Sequence, residues 1–197
     1  MTTRRHEKLV LTAHHEAAHA FIALHCGAEF ERVTATPYDG AAGMLVGLRL
    51  AEGQEDDAVR VGLAGIMALR LMSKGWHGWH FDRTRDDFDF AARAVQRMSS
   101  GPATLEWCVA DNAQILARGW NAVASLAQVL VAQGEVSRIA ARTLVMERTQ
   151  EPRCTPPNSV KNWERVTTRV LHRVEQMQAL EAGDPLAIAI ENLRRLV

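Results

Sequence analysis

The stretch LTAHHEAAHAFIALHCG, residues 11–27, decides how the rest of the chain is read. It predicts one helix over 4–26, with Thr2 or Thr3 available as cap and Gly27 as the stop. Within it stands HEAAH, formed by His15, Glu16, Ala17, Ala18 and His19. Residues four apart in a helix lie about 40° apart around its axis, so both histidine rings face one side.

Imidazole nitrogen is a good ligand for Zn²⁺, and two such ligands one turn apart can share a tetrahedral ion. Glu16 is next to the first histidine, where it reaches a water at the metal rather than the metal. That is the arrangement of a zinc hydrolase whose Glu serves as general base. The string arises by chance in about one sequence in fifty of this composition, so its setting has to carry the reading. Leu9, Leu11, Ala13, Phe21, Ile22 and Leu24 make the helix apolar, and bare histidines there are costly to bury without partners.

The third protein ligand is less plain. His25 stands where one zincin class, HExxHxxGxxH, places its last histidine. That class needs a glycine to break the helix, and this chain has Ile22. In an unbroken helix His25 lies about 120° from His19, so it is not expected to be a ligand. Glu55, Asp56 and Asp57 open a later helix and qualify by type. So does the acidic run DRTRDDFDF, residues 82–90, with Asp82, Asp86, Asp87 and Asp89. Clustered aspartates at a helix start also serve simply as caps. Spacing alone leaves these alternatives open.

Bulk composition narrows the function class. The chain has 197 residues, 47% hydrophobic and 23% charged, with a formal net charge of zero. That is the composition of one globular domain with a sizeable core, or of one domain with a small appendage. Balanced charge gives no footprint for nucleic acid or for an anionic membrane. The three cysteines, Cys26, Cys108 and Cys154, are far apart and odd in number, so no disulfide framework is expected. The N-terminus lacks an apolar signal-peptide core, and no apolar run nears the roughly 20 residues of a membrane span. A reducing cytoplasm is the expected location. No GxGxxG or GxxxxGK[ST] loop occurs, so ATP binding is not expected.

The pattern predicts a mainly α protein with a small β-hairpin or sheet, an α+β arrangement. Residues 30–36 and 44–50 read as strands joined by PYDGAAG. A helix follows from the acidic 52–57 to about Met72, and GWHGWHFDRTR, 75–85, reads as a loop. A helix over 86–98 precedes a long one from Pro102 to Gly134, and a shorter helix spans about 135–147. EPRCTPPNS, 151–159, is the clearest linker. Beyond it Val160, Trp163, Val166, Val170, Val174 and Met177 form an apolar stripe, either a face packed on the body or a dimer seam. Residues 1–150 are therefore expected as one domain and 151–197 as a linker with a helical extension.

Four segments in order carry a family resemblance: HHEAAHAFIAL, VTATPYDGAAGMLVGL, VGLAGIMALRL and RDDFDFAARAVQRM. Together they resemble the peptidase domain of FtsH-type ATP-dependent metalloproteases, over roughly residues 8–147. The resemblance implies an FtsH-peptidase-like fold and places Asp87 as the third zinc ligand with His15 and His19. It also implies that the strand at Val33, Thr34, Ala35 and Thr36 pairs with an extended substrate backbone. The chain departs from the family at Ala18, Ile66, Leu69 and Arg70, and it lacks the ATPase module.

The expected activity is therefore that of an ATP-independent zinc metallopeptidase, with one Zn²⁺ per chain and Glu16 as general base. Its expected partners are a polypeptide substrate and a partner ATPase or further copies of itself, with no nucleic acid and no membrane insertion. The rival expectation is a non-catalytic zinc module on the same fold. His77 and His80 are read as loop residues beside Trp76 and Trp79, with oxyanion stabilisation as their alternative role.

Overall fold

The computed structural model describes residues 2–37, 43–72, 85–98, 101–149 and 164–195. Most of the PYDGAAG turn, the GWHGWHF loop with His77 and His80, Asp82, and the proline-rich linker lie outside the described residues.

Helix α1, Thr2–His25, runs through the middle of the molecule. Ala13, Ala17, Ala18, Ala20 and Ala23 are fully buried along it. Their small side chains let neighbouring backbones approach closely while keeping high helix propensity. The helix ends as its glycine demands. Ala28 N–H donates to Ala23 O (2.8 Å) and Gly27 N–H to Leu24 O (3.2 Å), with Gly27 at φ +74°. That pair of bonds is a Schellman stop, which needs a residue free to adopt positive φ.

Strands β1, Arg32–Thr34, and β2, Met44–Val46, pair antiparallel with Val33 opposite Leu45. An isolated bridge between Glu29 and Arg49 extends the pairing. Helix α2, Glu55–Met72, opens on Glu55, Asp56 and Asp57, which favour the positive end of its dipole. It is buried without a gap from Ala58 to Leu69, packed against α1 and the helices that follow. These are α3, Arg85–Arg97, and α4, Gly101–Arg118.

Helix α5, Trp120–Gln133, then lies along α1. Strand β3, Glu135–Ser137, pairs antiparallel with β1, so the sheet order is β2-β1-β3. Helix α6, Arg138–Arg148, is capped by Ser137, whose hydroxyl accepts from Ala140 N–H. Helices α7, Glu164–Glu181, and α8, Pro185–Arg195, complete the described chain. The protein is thus mainly α with a small three-stranded antiparallel sheet.

Two expectations about elements need correction. The helix expected to run from Pro102 to Gly134 is two helices, α4 and α5, bent by 75° at Gly119. The Phe21 ring fills the space a Cβ at Gly119 would need, so the break seats α5 on α1 while α4 stays on α2. The helix expected from about 135 begins three residues late, because Glu135–Ser137 add to β1. Gly134, at φ +84°, ends α5 and turns the chain into that strand.

Of the stripe, Val170 and Val174 on α7 are buried in the common core and Met177 packs partly against it, and the helix packs on α3 and α4; Val160, Trp163 and the Val166 side chain lie outside the described residues. Among the described residues, no single helix is long and apolar enough to cross a membrane.

The fit of Phe21 over Gly119 can be tested. Gly119→Ala should lower the unfolding free energy by about 1–3 kcal/mol through overpacking. In a Phe21→Leu background the same change should cost clearly less, as read by urea denaturation. Equal costs in both backgrounds would contradict the packing described.

Candidate metal centre

His15 and His19 sit one turn apart on α1, on the side that faces α2 and α3. His15 Nε2 lies 3.0 Å from His19 Nε2. Asp87, in the first turn of α3, brings Oδ2 to 3.0 Å from His15 Nε2 and Oδ1 to 3.4 Å from His19 Nε2. Among the described residues, these three are the group whose donor atoms converge closely enough to share a cation. His14 takes no part. It lies one residue round the helix, where its ring stacks on Trp120 and its Nδ1–H donates to Val10 O at 2.8 Å.

The donor set fits a zinc ion on three counts. First, a tetrahedral ion with bonds of about 2.0–2.1 Å sets its ligands about 3.3 Å apart, close to the spacings here. Second, each of the three donor atoms lies close to the other two, so one ion could reach them all. Asp87 Oδ2 is buried within ion-pair distance of His15, yet no well-aligned hydrogen bond reaches it. Third, His19 Nδ1–H donates to the Val61 carbonyl at 2.6 Å. A carbonyl only accepts, so Nδ1 keeps its proton there and Nε2 is the nitrogen left to a metal once the ring is neutral.

The electrostatics favour positive charge at this point. Burial opposes ionisation of both partners, but the pair outweighs it. His19 is pushed up to about 9 by Asp87 and Glu16, and Asp87 is held well below the carboxylate range by the two histidines.

Glu16 is 6% exposed, a carboxylate taken almost wholly out of water. Burial pushes its carboxyl above the ordinary range, the histidines oppose that, and Asp87 adds to it. The chain makes room for it with Gly43, just before β2. A Cβ there would come within 2.7 Å of Glu16 Cγ and Oε1, and 2.8 Å of the Thr34 carbonyl. A second glycine makes room for the rings. At Gly65 of α2, a Cβ would stand 2.5 Å from His15 Cε1 and from His19 Nε2. Neither glycine stood out in the sequence, although Gly65 lies four residues beyond Val61, on the α2 face that meets the rings.

The other sequence candidates lie elsewhere. His25 is exposed at the end of α1. Asp56 and Asp57 both accept from Arg60 Nη1, and Glu55 stands with them in the first turn of α2. Asp86 is exposed, and Asp89 pairs with Arg173.

The substrate strand expected at Val33–Thr36 needs correction. β1 is the central strand, with Arg32–Thr34 paired to β2 on one side and β3 on the other. Ala35 N–H is also taken, donating to Gly134 O at 2.8 Å. Val33, Thr34 and Ala35 are buried, and Thr36 shares a hydroxyl hydrogen bond with Thr34 at 2.7 Å. Among the described residues the outer edges of the sheet belong to β2 and β3.

Gly65→Ala should push the two rings apart while leaving the chain folded. An overpacking cost of about 1–3 kcal/mol converts to a roughly 10–100-fold loss of zinc affinity, measured by chelator competition. Unchanged affinity would show that the rings need no such gap. No protein-family model matches the chain, and no curated protein matches its sequence, so its own residues carry the reading of the site.

Proposed function

We propose that this chain is a zinc-dependent, ATP-independent metallopeptidase that cleaves peptide bonds in unfolded or flexible polypeptides. The observation that carries the reading is the convergence of His15, His19 and Asp87 beside a buried glutamate. The resemblance of the four ordered segments to FtsH-type peptidase domains supports the same assignment.

His15, His19 and Asp87 would hold the ion. Held by them, zinc would supply the Lewis acidity that acidifies water and polarises a carbonyl. Glu16 takes the proton of the attacking water and returns it to the leaving amine. Val61 fixes the tautomer of His19, and Gly43 and Gly65 leave space for the carboxylate and the rings.

An extended substrate is proposed to pair along β2 rather than β1. Gly43 lies against Glu16 just before β2, so a chain on that edge would pass the base. Recognition through backbone hydrogen bonds carries little sequence preference. With no ATP-binding loop of its own, the chain would act on segments already loose, or on chains fed by a partner ATPase. The free thiols Cys26 and Cys108 fit a reducing cytoplasm.

Glu16→Gln separates binding from turnover. The variant should keep the zinc of the wild type and lose about 10²–10⁴-fold of its casein cleavage. Cleavage by the variant at the wild-type rate would sink this mechanism. Zinc in the wild type without cleavage of casein or other flexible chains would favour the non-catalytic zinc module.

A further inference from the structure

The segment outside the family resemblance is tied to the helix that carries Asp87. In α3 each two-residue step turns the chain about 200°, so Arg85 and Asp89 share one flank and Asp87 faces the other. Asp87 looks toward the histidines, and its two neighbours look toward α7 and α8. Arg173 of α7 grips Asp89 with two nitrogens, Nε to Oδ1 and Nη2 to Oδ2, the second at 3.2 Å. Its Nη1 also donates to Glu191 Oε2 at 3.0 Å. Glu191 of α8 in turn accepts from Arg85 Nη2 at 2.6 Å. The four side chains alternate in sign, Arg85, Glu191, Arg173, Asp89, and bracket the ligand two residues on each side.

The burial pattern of α8 is the telling observation. Among its described side chains, Glu191 is the one that is buried, at 8% exposure, while Leu186 is 69%, Ile188 42% and Ile190 38% exposed. Burial of a carboxylate is costly unless it is paired, whereas burial of Leu or Ile is favourable. A helix that only served as a lid would turn Leu186, Ile188 and Ile190 inward. This one delivers a charge to the ligand helix. Arg173 is held in register by Val170 and Val174, both buried in the core on either side of it.

We propose that α7 and α8 form a positioning clamp on the metal centre, with Arg173 and Glu191 fixing the first turn of α3 so that Asp87 faces the histidines. The proposal rests on the zinc reading of the site. Arg173 and Glu191 touch no donor atom of that site; they act through Asp87. A bidentate Arg–carboxylate pair sets orientation as well as position, and a lysine does not replace it.

The test is a mutant cycle on the full chain, read by zinc affinity in chelator competition, with far-UV circular dichroism as a check on folding. Arg173→Gln and Glu191→Gln should each weaken zinc binding about 10–100-fold, as loss of an orienting partner does. Glu191→Gln keeps the side-chain shape and stands alone if Arg173→Gln fails to fold. In an Asp87→Ala background the same substitutions should change the residual affinity less than about twofold, because the route through Asp87 is gone. Arg173→Lys should recover only part of the loss.

Wild-type affinity in both glutamine variants would overturn the clamp while leaving the metal site standing. An equal loss with and without Asp87 would also overturn it, by making the network a general support of the fold. A wild-type chain without zinc affinity would remove the site reading, and the clamp with it.

Discussion

Two imidazoles and a carboxylate held within 3.0–3.4 Å of one another in a protein interior form the constraint on which this structure depends. Such a cluster is costly to bury unless its charges are paired, by a proton on a histidine or by a shared cation. The surrounding architecture makes sense as the means of holding it. The alanines of α1 bring α2 close, the Val61 carbonyl orients one ring, and Gly65 gives up its side chain to both. On the open side, α3 supplies the counter-charge from its first turn.

The sheet has a different task. It is small, and its strands are short, yet the Thr34 carbonyl and Gly43 at its start lie close to Glu16. β3 arrives from the far end of α5 and occupies the side of β1 that would otherwise be open. The outer strand nearest Glu16 is β2, preceded by Gly43 against that carboxylate, and it is the edge proposed above for an extended substrate.

How much of this was legible in the sequence follows from the range of each interaction. HEAAH is a local pattern, and helical geometry alone places His15 and His19 together. Asp87 was reached through the resemblance, and the structure sets it opposite the histidines, while nothing in its immediate sequence separates it from Asp86 or Asp89. The stop at Gly27 was legible because the helix pattern ends there. The break at Gly119 was not, since apolar spacing continues across it and its cause is Phe21, about a hundred residues earlier. β3 is three residues long and owes its existence to β1, so no local periodicity could announce it. Gly43 and Gly65 looked like ordinary glycines until their neighbours were known. The Arg173–Glu191 network joins residues more than eighty positions from Arg85 and Asp89, beyond the reach of any motif.

The central claim is that the HEAAH helix and Asp87 hold one metal ion. The most direct measurement is metal content by plasma mass spectrometry on protein purified without a histidine tag. The account predicts about one zinc per wild-type chain and a sharply lower content once Asp87 is replaced by alanine. Metal-free wild-type protein that neither retains nor takes up zinc would contradict it, leaving two histidines and an aspartate as a hydrogen-bonded cluster in an apolar helix bundle.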